Sequence, residues 1–396
     1  MSSSSFDAAH RPMEESLLHK LLVGAQSLQR LPTPLVAILL VGSAVIAGWM
    51  WRDRSAETAV IMGMGVLFYA LFNWGMLTLL PMLGRSFGPD KPSALALSAL
   101  GVGATMLLGW LGTSPLLVMA VWVALTATAF YATWVEPFDV RLTRETLQVS
   151  GWAPPLNETK HGVRVLHVAD LHIERISPRE RTVNAMIATL APDMIVFTGD
   201  FVNLSNTNDP IAEAHIRQVI GAWRAPLGVY CVPGTPIVEP IERVRAFVAG
   251  LPGVTLLENQ WVTVIVPSGD ALHILGMVTT HDLDIDRAAL AHLLTVRPEG
   301  GATLLLTHSP DVMPEAAAAG IDMYVCGHTH GGQIRLPVIG ALFSSSQLGQ
   351  KFIKGRYTVG AMTGYTSRGV GMEGLGAPRA RLLCPPEIIL WEIEGG

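Results

Sequence analysis

Two aspartates and four histidines stand at the ends of four short apolar runs, and they are residue types that hold divalent cations. The run VRVLHVAD ends in Asp170, with His172 two residues on; DMIVFTGD ends in Asp200; ATLLLTH ends in His308; DMYVCGHTH ends in His328 and His330. Each run reads as a strand, and ligand sites in α/β sheets gather beyond the carboxyl ends of their strands. Four strands therefore deliver Asp or His to one rim. With nothing basic interleaved, such a group would repel or desolvate badly unless a cation lay among its members. Imidazole and carboxylate together suit Mn, Fe or Zn better than Mg or Ca. Taken singly, each residue has a structural explanation, a helix cap for an Asp or a satisfied polar contact for a His; the six together point to a metal centre. His161, His167, His215, His273 and His292 lack this context and are read as structural, and Cys326 as a small buried residue.

The elements that must position these residues follow from the pattern after about Leu147, where short β-rich runs alternate with helical ones as in a layered α/β domain. Ser177-Pro178-Arg179-Glu180 is a capping box with proline at the first helical position. It predicts a helix that buries Val183, Met186, Ile187 and Leu190 and stops before Pro192. Further helices are expected from near Asp209-Pro210, over about 241–249, about 286–294 and about 311–319.

The first third of the chain has another character. The 396 residues are 50% hydrophobic and only 15% charged, and the excess apolar residues fall in four runs, Leu35–Trp51, Ala59–Leu80, Ala94–Leu111 and Pro115–Val135. Each is near the roughly 20 residues needed to cross a bilayer. The runs carry no charge that would mark an ion path, and a lone polar residue such as Asn73 reads as a contact between helices. Leu17, Leu18, Leu21, Leu22, Ala25 and Leu28 recur at helical spacing, which fits a short amphipathic helix on the membrane surface or a solvated helix packed on the soluble domain. Arg11, Lys20, Arg30, Arg85, Lys91, Arg141 and Arg144 lie on the side of the termini, against Arg52 and Arg54 on the other. The expectation is a multi-pass integral membrane protein whose termini and soluble domain face the cytoplasm. Cys231, Cys326 and Cys384 show no paired spacing, and the net charge of −5 gives no reason to expect nucleic acid as a partner.

The order Asp-x-His, Gly-Asp, lone His and Gly-His-x-His resembles the metal motifs of the calcineurin-like metallophosphoesterases. GHTHGGQI, THSPDVMPEAAAAG and YTSRGVGMEGLGAPRARLLCPPEI resemble its membrane-anchored branch with amino-terminal transmembrane helices. The resemblance implies an α/β/β/α phosphoesterase domain over 160–396, after an amphipathic or cytoplasmic segment 1–33, four transmembrane helices over 34–136 and a linker over 137–159. It also implies two divalent metal ions: Asp170, His172 and His330 on one, His308 and His328 on the other, and Asp200 bridging. A metal-bridging hydroxide would then attack phosphorus. Asn203, in GDFVN, would orient Asp200 without binding metal.

One motif departs from the family. Where Gly-Asn-His is expected after GVYCVPG, the chain reads Gly-Thr-Pro, with Thr235 and Pro236 in the places of the metal-binding Asn and the phosphate-contacting His. The second metal site should be weaker for lack of the Asn oxygen. Proline cannot give a proton to a leaving group, which commonly matters by about 10² to 10⁴ in rate. His281, in GMVTTHDLD, is the candidate to stand in for the missing His. The resulting expectation is a membrane-bound phosphodiesterase or pyrophosphatase acting on a phosphorylated small molecule or a lipid-linked substrate, with membrane lipid around its anchor. The alternative is a catalytically impaired metal-binding or regulatory module anchored in the membrane.

Overall fold

The computed structural model describes residues 17–150, 152 and 162–395, with the side chains of 17–19 excepted. Arg11 and His161 lie outside the described residues, as do residues 1–16 of the expected segment 1–33. The chain divides into two compact units, one of residues 137–372 and 381–396 and the other of 20–136 with 373–380.

The apolar unit takes in α1 (Leu17–Gln29) from Lys20 onward, then α2 (Thr33–Trp49), α3 (Ala56–Met82), α4 (Asp90–Trp110) and α5 (Pro115–Phe130), the last continued by a π-turn and by a 3₁₀ turn that leads out of the unit at Phe138. Three helical stretches, Ala56–Met82, Asp90–Trp110 and Pro115–Phe138, are long and apolar enough to cross a membrane. The first apolar run yields only the 17 residues of α2, which qualifies together with α1 across a 101° bend. Pro32 and Pro34 account for the break: proline disfavours helical conformation in the residue before it and supplies no N–H.

Several polar side chains within these helices face inward. Asn73 Nδ2 donates to Tyr69 O and to Thr126 Oγ1 on α5, and the Trp51 and Trp122 indoles both donate to Thr105, at its carbonyl and its hydroxyl. A Cβ on Gly48 would lie 2.6 Å from the Ala59 carbonyl, so glycine is what lets α2 approach α3. Large apolar side chains such as Phe68, Trp110, Leu116 and Val123 point outward, an arrangement that suits lipid as solvent. Lys91 donates to Leu31 O and Arg85 to Trp134 O, which gathers the α1–α2 and α3–α4 connections and the end of α5 at one end. Arg54 instead reaches Thr113 O, bringing the α2–α3 and α4–α5 connections together.

The α/β unit runs β1 (Arg141–Val149), β2 (Val163–Val168), α6 (Pro178–Leu190), β3 (Met194–Phe197), α7 (Pro210–Ile220), β4 (Val229–Cys231), α8 (Ile241–Val248), β5 (Val254–Leu256), β6 (Gln260–Ile265), β7 (Ala271–Gly276), α9 (Leu283–Leu294), β8 (Ala302–Leu306), α10 (Met313–Ala318), β9 (Met323–Cys326), β10 (Arg335–Leu336), β11 (Gly340–Ala341), β12 (Gly355–Val359), β13 (Met362–Thr366) and β14 (Glu387–Gly395). One six-stranded sheet has the order β1-β14-β2-β3-β4-β5 and the other β12-β13-β9-β8-β7-β6, with β10 and β11 a separate hairpin. The expected linker 137–159 thus contributes a strand. Its polar RLTRETLQV pairs in parallel with β14, and because it is an edge strand it needs few apolar residues, which is why it reads as linker.

Period-two alternation assembles the layers. Val163 and Val165 of β2 join Leu304 and Leu306 of β8 in a core between the sheets, while Leu166 and Val168 face outward against α6, α7 and α8. On the far side Leu275, Leu305 and Tyr324 pack against α9 and α10. The layers are therefore α/β/β/α. The capping box forms as expected, with Ser177 N donating to Glu180 Oε2 at 2.7 Å. Helix α9 starts three residues earlier than expected because Asp282 caps it, accepting from Asp284 N and Ile285 N.

The inter-sheet core centres on fully buried Trp391, edge-on to Tyr365 at 5.5 Å. Trp391→Ala should cost about 3–5 kcal/mol, read by denaturant unfolding of the detergent-purified chain; a loss below ~1 kcal/mol would mean that the two sheets are not held together through this side chain.

Candidate metal centre

Strands β2, β3 and β4 run parallel in one sheet, and β7, β8 and β9 run parallel in the other. Each leads directly into a site residue: Asp170 and His172, Asp200, Thr235, His281, His308, and His328 with His330. Three donor groups result, each with ligand atoms within 4.8 Å of one another: His172, Asp200 and His330; Asp170, Asp200 and His308; His281, His308 and His328. All six residues expected as ligands are brought together, and His281 joins them.

The backbone reaches this arrangement by an uncommon route. Asp170, His172, Asp200, His281, His328 and His330 all have positive φ, between 42° and 69°. Few non-glycine residues adopt this region, and such strain persists only where the surroundings impose it. The chain thereby turns off each strand at once and folds the polar side chain back over the sheet edge. Glycine is required where the backbone passes Asp170: a Cβ on Gly327 or on Gly369 would lie 2.5 Å from one of its carboxylate oxygens.

Asp200 Oδ2 lies 3.3 Å from both His172 Nε2 and His308 Nε2, so one carboxylate oxygen is shared by two donor groups. His172 Nε2 and His330 Nε2 approach to 2.9 Å, and His308 Nδ1 is 3.7 Å from Asp170 Oδ1. Every one of these side chains is buried. Burial pushes the Asp170 carboxyl up to about 6, with Asp200 adding to it against His308 and His172. Burial also acts upward on Asp200, but the charges and hydrogen bonds of His308 and His172 hold it well below the usual range. Burial alone would lower His308, yet Asp200 raises it to about 9. His328 is pushed down to about 4 by burial and His308, and His330 falls well below its ordinary value through burial, His172 and Arg381. The carboxylates thus demand positive charge at a point where the other imidazoles stay neutral.

These features fit a divalent cation. Among the described residues the buried Asp170 Oδ2 meets no hydrogen-bond donor, two imidazole nitrogens converge at 2.9 Å, and neutral imidazole with carboxylate is the donor chemistry of such ions.

The altered segment contributes as well. Thr235 N donates to Asp200 Oδ1 at 2.8 Å, and its Oγ1 lies 3.1 Å from His308 Nε2 and 3.3 Å from His281 Nε2. Pro236 is exposed and has no polar side-chain atom to offer. Asn203 Nδ2 donates to Met372 O, and its Oδ1 accepts from Ser205 N, contacts that tie down the loop after β3. Of the histidines read as structural, His167 meets Thr198, His215 accepts from Ile176 N and His273 meets Thr263. Cys326 is buried beneath Tyr365 and Thr366.

Two residues escaped sequence reasoning. Glu239, buried, accepts from the backbone N–H groups of Asp200, Phe201, Val202 and Gly234 at 2.7–3.4 Å and so joins the β3 and β4 turns. Burial and Asp200 push its carboxyl up to about 8, against the pull of the Gly234 and Phe201 amides. The only sequence signal was a lone carboxylate in the apolar GTPIVEP. Arg381, fully buried, donates to the carbonyls of Arg368, Gly369, Gly371 and Cys384, with Nη2 3.4 Å from His330 Nδ1. Nothing in GAPRARLL marks it.

Comparison with known proteins agrees with this geometry. Residues 163–332 match the family described as calcineurin-like phosphoesterase. The uncharacterized metallophosphoesterase YkuE of Bacillus subtilis is 27% identical over 277 residues, covering 67% of this chain and 89% of its own. Phosphodiesterase YaeI of Escherichia coli is 27% identical over 236 residues, 58% of this chain and 82% of its own. UDP-2,3-diacylglucosamine pyrophosphatase LpxG of Chlamydia trachomatis is 23% identical over 315 residues, 66% and 92% respectively.

Glu239 touches none of the candidate ligands' donor atoms but orients the turn that carries Asp200. Glu239→Gln turns an amide N–H₂ toward backbone donors and should weaken metal binding about 10- to 100-fold, read by titration with Zn²⁺ or Mn²⁺. Unchanged affinity would show that the β3 turn holds its shape without this brace.

Proposed function

Residues 163–332 are a calcineurin-like phosphoesterase domain, and from that premise we propose that the chain is a membrane-anchored, metal-dependent phosphohydrolase cleaving a phosphodiester or pyrophosphate bond. The observation that carries this reading is the sharing of Asp200 Oδ2 between two donor groups, 3.3 Å from His172 and from His308. In the proposed assignment Asp170, His172 and His330 hold one divalent ion, His308 and His328 hold the second, and Asp200 bridges. When bound, such ions supply Lewis acidity and lower the pKa of water. The protein's own residues hold the donors in place, exclude water around them through burial, and fix Asp200 through Thr235 N and Glu239.

The substrate class follows from what the rim lacks. Pro236 has no proton to give, so the reading favours bonds whose leaving oxygen departs without one, as in a pyrophosphate or an aryl ester. Support for a lipid-linked substrate comes from two sides: the apolar helices, three of which could cross a bilayer, and a relative named for pyrophosphate cleavage of a diacylated nucleotide sugar. The grouping of Lys91 and Arg85 with the α1–α2 turn and the end of α5, opposite Arg54, supports four spans with the α/β unit on the cytoplasmic face. The exposed Pro236 also favours a second reading, an impaired metal-binding module.

Mn²⁺-dependent hydrolysis of bis(p-nitrophenyl) phosphate by the detergent-purified chain separates the two. The expected result is turnover that is lost in Asp200→Asn and after chelation, and that is slower on alkyl than on aryl diesters. Absence of turnover in folded, metal-loaded protein would reject the enzyme and favour the binding module.

A further inference from the structure

We propose that His281, His308 and His328 form a three-imidazole site for one divalent cation, so that His281 is a metal ligand and not a proton donor. This rests on the metal-dependent reading above and adds a ligand to it.

The three side chains are buried, their ligand nitrogens lie within 4.8 Å of one another, and the ring centroids are 4.4 Å apart for His281–His328, 4.9 Å for His308–His328 and 6.1 Å for His281–His308. Two of the tautomers follow from their partners. A carbonyl can only accept, so His308 donates from Nδ1 to Thr198 O at 2.7 Å and His328 donates from Nε2 to Ser345 O at 3.2 Å. The nitrogen left on each ring is the one that would face a cation, which at His308 would take the place of the second proton that Asp200 favours, and metal-binding histidines are held in this way. His281 turns its Nε2 toward Thr235 Oγ1, which itself lies against His308 Nε2, so it faces the cluster.

The loop that carries His281 is built to present it. Thr279 Oγ1 bonds Thr307 Oγ1 at 2.8 Å, and Thr280 donates to Asp286 Oδ1 from both its backbone N and its hydroxyl. Asp282 caps α9, and Gln347 Nε2 donates to the His281 carbonyl at 2.6 Å. These contacts hold His281 at φ 63°. Three imidazole nitrogens prefer Zn or Fe over Mn, which would make this site more Zn-selective than the one containing Asp170.

The test is metal content and affinity of the full detergent-purified chain, loaded with Zn²⁺ or Mn²⁺ and dialysed against a weak chelator, for wild type, His281→Ala and His281→Asn. Wild type should retain two Zn²⁺ per chain. His281→Ala should retain one, with the second bound more weakly by more than the roughly 10- to 100-fold that loss of an outer partner costs. His281→Asn substitutes an oxygen donor of smaller size, so it guards against misfolding of the alanine variant, and should shift the second site's preference from Zn²⁺ toward Mn²⁺. Two Zn²⁺ held with wild-type affinity in both variants would overturn this inference while leaving the phosphohydrolase reading intact. A wild-type chain that binds no metal would overturn both.

Discussion

Two carboxylates, those of Asp170 and Asp200, are buried at a point where water cannot solvate them, and the rim is arranged around that constraint. An uncompensated buried carboxylate costs several kcal/mol, so the fold surrounds the pair with imidazoles and backbone N–H groups. Thr235 N and His328 N each donate to one of them. The neutral histidines add donors without adding charge, and that combination leaves room for a divalent cation.

Holding such a constellation requires a rigid frame. Site residues with left-handed backbone cost of order 1 kcal/mol or more each, and only a core that over-determines the turns can sustain them. The sandwich does this with two parallel strand rows that meet at their carboxyl ends and with buried braces beneath the turns. Glu239 binds the β3 turn to the β4 turn, and Arg381 binds the backbone around Gly369 and Gly371 next to His330. Thr235, at a position where the resemblance leads one to expect Asn, still bonds Asp200 through its backbone, so the alteration changes the side chain offered without loosening the turn.

The apolar unit is arranged differently, with three helical stretches long and apolar enough to cross a membrane. Polar side chains such as Asn73 and Thr105 are bonded inside it while large apolar side chains face outward, the inverse of the α/β unit, whose apolar side chains fill the layers. That contrast is the physical content of the lipid-linked reading.

The layered α/β class, the capped helix after Ser177, the four apolar runs and the six candidate ligands were all legible in the amino-acid sequence, because periodicity, caps and ligand types are local properties. The strand β1 was not, since an edge strand with polar residues looks like a linker until β14, far along the chain, is seen to pair with it. Nor were Glu239 and Arg381, whose roles consist of contacts with backbone groups that only the folded turns bring to them. His281 could be singled out by its place after a strand, but its company could not: only the tertiary structure sets three imidazoles from three strand ends side by side. Sequence determines which donors are available and roughly where each strand will release them. Which donors share a cation is decided by the packing of two sheets, because distances between residues far apart in the chain exist only once the core has formed.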